Sequence, residues 1–241
     1  MPLAAQEKAP PSSATSSGAA RYQACMAKAQ KYPKDAFEDA IQWRDRGGGG
    51  AAEHCAASAL VTLGIYKDAA ARLESLAQRI NQGPAFKAQL LGQAAQAWLL
   101  ADMAARAEAT ATAALKLRPD VLELRLDRAQ ARAALGDYEK AKIDLDAVIE
   151  KDPTRPDAFA FRAAAKRFLN DLAGAHVDVE QALILDVTHV PALLERGNLR
   201  RLKGDNNGAR EDWLQVLSIA PSGEAADAAR SNLEKMDVKN R

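Results

Sequence analysis

Cysteine is nearly absent from this chain, with two residues, Cys25 and Cys55, in 241. That is too few for a disulfide-framed miniprotein or a four-cysteine zinc module. Histidine is almost as scarce: His54, His176 and His189. No two are spaced to present ligands on one helix face, so no metal is expected. His54 adjoins Cys55, but sequence neighbours point apart on a helix, and nothing completes a Cys–His catalytic pair there. Aromatic residues make up 5%, which leaves few platforms for stacked bases. Thirty-three Lys and Arg against 32 Asp and Glu give a net charge of +1, without the basic excess of a general nucleic-acid binder. No apolar run reaches the roughly 18 residues a membrane-spanning helix needs. The longest candidate, Ala94 to Ala105, is interrupted by Gln96 and Asp102. Glycines are not spaced as in phosphate loops; the one run, Gly47 to Gly50, reads as a flexible joint before a helix at Ala51. The carboxylates Glu108, Glu123, Glu139 and Glu150 read as solvated helix charges, and Arg200-Arg201-Lys203 as a wet helix end. Neither a catalytic residue nor a cofactor is expected.

Alanine is what the chain has in quantity, 54 residues, while β-branched residues are sparse. Alanine has the best intrinsic helix propensity and lets helices approach closely, so an all-α fold is expected. Hydrophobic residues at 48% and charged residues at 27% are ordinary for a globular protein. Residues 1–19 are rich in Ala, Pro and Ser without helical period and read as a flexible tail. They lack the basic start and apolar core of a complete signal peptide. Leu3-Ala4-Ala5-Gln6 reads either as the stub of a cleavage site or as plain linker.

The main organising feature is a repeat with a step of 34 residues. Pro119, Pro153 and Pro221 fall on one lattice, with Val187 at the missing point. Ala107, Ala141, Ala175 and Ala209 form a second lattice. A third sets Leu135-Gly136-Asp137-Tyr138 beside Leu169-Asn170-Asp171-Leu172 and Lys203-Gly204-Asp205-Asn206. The three keep constant offsets. Glycine at the turn supplies positive φ without steric cost, and proline ends the second helix.

In these features the sequence resembles the tetratricopeptide repeat family, whose unit is a 34-residue antiparallel helix pair. The best match is Leu122 to Arg155, with Ala129, Gly136, Asp137, Tyr138, Ala141, Leu145, Val148 and Pro153. The other units are 50–83, 88–121, 156–189 and 190–223, preceded by a divergent pair over 20–49 broken at Pro33. Pro84 to Lys87 reads as a four-residue insertion that shifts the phase, and 224–237 as a capping helix. The large aromatic that the pattern wants early in the first helix is present only as Phe159. The resemblance implies a right-handed α-solenoid over 20–237.

The resemblance also implies a partner-binding groove lined by first helices. His54, Ser58, Val61 and Thr62 fall on it in one unit, and Gln89, Gln93, Gln96 and Leu100 in the next. Asp127, Gln130 and Ala134 follow, then Phe161, Ala164, Arg167 and Phe168, and last Leu194, Glu195, Asn198 and Arg201. Amides suit a peptide backbone, and the phenylalanines either anchor a partner's apolar side chain or pack between helices. Some members clamp a terminal carboxylate through Lys and Asn. Here Gly92, Gln96, Leu126, Gln130 and Asp157 occupy those positions, so that clamp is absent. First helices of adjacent units lie side by side in the family, which would bring Cys25 against Cys55. The two either form a disulfide or remain free buried thiols. A disulfide would imply an oxidising, periplasmic or secreted setting; a cytoplasmic one is the alternative. The expected function is a non-catalytic scaffold binding a protein or peptide partner. The alternative is a carrier or sensor of a small or lipidic ligand near Phe161 and Phe168.

Overall fold

The computed structural model describes residues 13–239, and among them there is helix and no strand. Thirteen α-helices follow in order: α1 (Ser13–Lys31), α2 (Pro33–Trp43), α3 (Gly49–Thr62), α4 (Tyr66–Arg79), α5 (Pro84–Leu100), α6 (Ala104–Leu117), α7 (Leu122–Ala134), α8 (Tyr138–Lys151), α9 (Pro156–Phe168), α10 (Leu172–Leu185), α11 (Val190–Leu202), α12 (Asn206–Ile219) and α13 (Glu224–Lys239). This is an all-α repeat fold. It divides into two compact units, α1–α5 ending at Asp102 and α6–α13 beginning at Met103.

One sequence expectation is corrected. Helix α1 starts at Ser13, so the segment read as a flexible tail through residue 19 is helical over its last part, where Ala14, Ala19 and Ala20 favour helix. The rest of that segment, with the Leu3–Gln6 stub, lies outside the described residues. Pro84 to Lys87 forms the first turn of α5, which at 17 residues is four longer than α7, α9 and α11 at 13 each. Proline suits that first position because its missing N–H has no partner there in any case.

Within the unit α1–α5, helices α1 and α3 pack together, and Cys25 and Cys55 are bonded across them with Cα atoms 6.1 Å apart. Ala29, Ala36, Ala40, Ala56 and Ala59 surround Cys55. The glycine run at the α2–α3 junction, whose last two residues open α3, is a sharp kink, with φ of 90° at Gly47 and 53° at Gly49.

Within the unit α6–α13, each first helix packs on its second, and α7, α9, α11 and α13 follow one another side by side. The turns behave as the spacing requires: φ is 79° at Gly136 and 86° at Gly204, with Asn170 at 63° on the same step. Asp137, Asp171 and Asp205 then cap the second helices, each carboxylate accepting from the main-chain N–H three residues on. Ala107, Ala141, Ala175 and Ala209 are fully buried where paired helices meet. In the α11–α12 contact, a Cβ on Gly197 would stand 2.5 Å from the Trp213 indole.

A fourth 34-residue lattice, whose burial the sequence does not mark, is ionic. Arg128 grips Asp144 with Nε at 2.8 Å and Nη2 at 2.6 Å, and Arg132 adds Nη1 at 2.8 Å. Arg162 and Lys166 hold Asp178 in the same way, at 2.7–2.8 Å. Arg196 and Arg200 hold Asp212, at 2.7–3.1 Å. The three carboxylates are essentially inaccessible. Asp144 and Asp212 hold the Arg128 and Arg196 guanidiniums above their ordinary pKa through these charged hydrogen bonds. Arg162 also donates to Asp146 of the preceding hairpin at 2.7 Å, tying consecutive hairpins together. Arg200 is therefore not part of a wet helix end.

Candidate functional site

The side-by-side first helices of the second unit bring four of the expected groove residues into one hydrogen-bonded line. Arg167 of α9 binds Glu195 of α11 through Nε to Oε1 and Nη2 to Oε2. Glu195 is buried, and Asn198 one turn on donates to its Oε2 at 3.1 Å. Asn232 of α13 donates to Asn198 Oδ1 at 2.9 Å. Arg201 reaches the main-chain oxygen of Asn232 at 3.4 Å. These residues border a cleft of about 380 Å³ lined by Arg167, Asn198, Arg201, Leu202, Ala228 and Asn232.

The electrostatics of the cleft are uneven. Glu195 neutralises Arg167, whereas Arg201 has no carboxylate within ion-pair distance among the described residues. Asn232 retains an acceptor oxygen, and both amides retain an N–H. The cleft therefore offers a cation, amide donors and an amide acceptor beside the apolar Leu202 and Ala228, a mixture suited to a polypeptide main chain with an acidic or polar side chain. Beside Arg167, Phe168 is 54% exposed, stacked on Tyr138 with centroids 4.3 Å apart and with the Arg167 guanidinium 4.3 Å from its ring.

The remaining expected residues are placed differently. Phe161 is half-buried against the Leu126, Ala129 and Leu145 cluster, so it packs between helices. Leu194 packs in the C-terminal core, and its carbonyl accepts from the Trp213 indole. Asp127 is buried, Gln130 and Ala164 are half-buried, and Ala134 is exposed. In the first unit His54 is 1% exposed and unavailable to a partner. Its Nε2 lies 2.7 Å from Gln93 Oε1 and its Nδ1 2.7 Å from the Tyr22 hydroxyl. Since the Gln93 carbonyl accepts, the proton sits on Nε2, and Tyr22 donates to Nδ1. Burial holds this imidazole below its usual pKa against the opposing bond to Gln93. Ser58 donates to the His54 main-chain oxygen, and Thr62 to that of Ser58. Gln89, Gln96 and Leu100 are exposed on α5, and Val61 is half-buried.

Asn232 was not anticipated, because its helix reads as a cap. The signal was nevertheless present: Gln96, Gln130, Ala164, Asn198 and Asn232 stand 34 residues apart in the sequence, an amide at four of five steps. Helix α13 does bury Ala226 and Ala229 as a cap should, and it also extends the row of first helices by one.

A family model for the tetratricopeptide repeat matches residues 95–166. That stretch runs from within α5 to within α9. Solved structures of the same architecture include a tetratricopeptide repeat protein from Parabacteroides merdae ATCC 43184, with 14% identity, 87% of this chain and 83% of that one covered, and a TM-score of 0.68. Another is TTC0263, a thermophilic TPR protein in Thermus thermophilus, with 20% identity, coverage of 73% and 95%, and a TM-score of 0.60. A third is YrrB, described as a TPR protein with an unusual peptide-binding site, with 17% identity, coverage of 81% and 98%, and a TM-score of 0.54. At these identities the likeness is one of fold. No curated protein matches the sequence. Among the described residues, no helix is long and apolar enough to cross a membrane, and no group of three or more His, Cys, Asp or Glu side chains is placed to hold a metal ion.

Proposed function

We propose that this protein is a non-catalytic interaction scaffold that holds an extended peptide segment of a partner along the first-helix face of its second unit. The observation that carries this reading is the line Arg167–Glu195–Asn198–Asn232, which spans three neighbouring first helices and borders a cleft with amide groups to spare. An extended peptide presents N–H and C=O groups at regular intervals, and pre-positioned amides meet them without a further ordering cost. Glu195 holds Asn198 from below, so the row is set before a partner arrives. The peptide-binding site named for YrrB, a protein of like fold, supports the reading by analogy. The carrier reading is less favoured, because Phe161 packs into the helix core and Phe168 packs on Tyr138 and Arg167, so neither is left to wall an apolar pocket. The Cys25–Cys55 bond supports placing the protein in an oxidising compartment, periplasmic or secreted.

The test begins with peptides selected by display against the full chain. Their affinity should fall roughly ten-fold or more when Asn198 and Asn232 are both changed to Ala, each lost backbone contact contributing about 1 kcal/mol. Unchanged affinity in a folded double variant would remove this face from consideration.

A further inference from the structure

Helix α1 is weakly held by packing. From Gly18 to Lys31 only Ala29, near its end, is buried. Before Cys25, the side chains that reach the rest of the unit are Tyr22, bonded to His54, and Arg21, over the Trp43 ring at 4.9 Å. An element with so little buried apolar surface opens easily unless it is tied. The tie here is the disulfide, three residues beyond Tyr22.

The two sulfurs are not equivalent. Cys55 is fully buried among alanines of α2 and α3. Cys25 is half-buried and lines a cleft of about 340 Å³ that also carries Arg21, Lys28 and Arg46 against the single carboxylate Asp39. Lys28 pairs with Asp39, which leaves Arg21 and Arg46 as the excess positive charge beside this half-buried cysteine, an arrangement that favours the approach of an anionic thiolate.

We propose that Cys25 is a thiol–disulfide exchange site for a dithiol reductant, and that exchange there releases the first half of α1 from the His54 face of its unit. One thiolate of the reductant attacks Sγ of Cys25, the Cys25–Cys55 bond breaks, and Cys55 departs as a thiolate that takes up a proton. The second thiol of the reductant, as thiolate, then displaces Cys25, which takes up a proton in turn. Two electrons pass to the protein, leaving two thiols, and the reductant leaves as a disulfide. Tyr22 and Ala19 form one wall of a second cleft, of about 260 Å³, whose other side includes His54, Ile80 and Phe86. When α1 lifts, that wall is lost, and the imidazole and its apolar surroundings face solvent. The oxidised and reduced proteins thus present different surfaces at this end of the chain.

The test uses the full oxidised chain in native buffer. Brief treatment with glutathione, followed by acid quench and peptide mapping, should place the mixed disulfide on Cys25 in roughly ten-fold excess over Cys55. After complete reduction by dithiothreitol, amide hydrogen exchange over residues 18–24 and 50–54 should accelerate by roughly ten-fold or more, while α4 changes by less than about two-fold. The double variant Cys25→Ser, Cys55→Ser should exchange like the reduced protein; if it does not fold, the dithiothreitol-treated wild type decides. An adduct chiefly on Cys55, reduction only in denaturant, free thiols in the untreated protein, or unchanged exchange in reduced α1 would each overturn the proposal.

Discussion

Replacing Asp178 by alanine is the most informative perturbation of the ionic lattice. Asp178 is 2% exposed and accepts from Arg162 through both oxygens and from Lys166 through one, all at 2.7–2.8 Å. The two cations are themselves largely covered, at 16% and 13% exposure. Alanine would leave them with one shared carboxylate fewer. Arg162 would keep Asp146, which is 40% exposed, and Lys166 would keep only a long contact to the Gly174 main-chain oxygen. Breaking a buried pair in this way costs about 3–5 kcal/mol, because the surviving charge stays desolvated. An exposed pair costs about 0–1 kcal/mol. Urea unfolding of the variant should therefore show a loss of about 3 kcal/mol or more at pH 7. The triple variant Arg162→Met, Lys166→Met, Asp178→Leu should lie within about 1–2 kcal/mol of wild type or above it, since an apolar replacement removes the whole desolvation penalty. A loss below about 1 kcal/mol for Asp178→Ala would refute the assignment of this triad to the buried class.

Three further outcomes follow from single observations. Gly197→Ala sets a methyl group 2.5 Å from the Trp213 indole and should cost about 1–3 kcal/mol by overpacking, measured by thermal or urea unfolding. Asn170→Ala places a residue without a local hydrogen-bonding side chain at φ of 63° and should cost about 1 kcal/mol, while Asn170→Gly should be tolerated. In acid, hydrogen bonds from Arg118 hold Asp120 down to about 2, and Lys140 and Thr154 hold Asp137 and Asp152 below the usual carboxylate range. Depressed carboxylates contribute stability that is present above the unfolded-state pKa and lost as pH falls through the folded-state value. Stability should therefore decline progressively from about pH 4 toward pH 2, and a flat profile over that window would contradict these pairings.

The repeat was legible because turn, close contact and helix stop each demand a particular residue at a fixed interval. Gly136, Ala141 and Pro153 reappear as Gly204, Ala175 and Pro119 for that reason. The ionic lattice obeys the same interval at Arg128, Arg162 and Arg196, yet a charge in sequence carries no mark of burial, and Asp144 reads like any solvated aspartate. The four residues from Pro84 shift the phase of the repeat, and they do so by lengthening α5 by one turn. The first-helix rule puts His54 on an open face, but partners 32 and 39 residues away in sequence, Tyr22 and Gln93, close over it. Asn232 was hidden by the reading of its helix as a cap. The first-helix rule lists Arg167, Glu195, Asn198 and Arg201, which one hydrogen-bonded row contains, but it gives no indication that Glu195 is engaged in holding Arg167 and Asn198.

The measurement that bears most directly on the scaffold reading is nuclear magnetic resonance titration of the full chain with a display-selected peptide, following side-chain amide signals. The account predicts that Asn198 and Asn232 shift and broaden first, together with the Arg201 guanidinium. Perturbations confined to the second helices α8, α10 and α12, with those three signals unmoved at saturation, would contradict it.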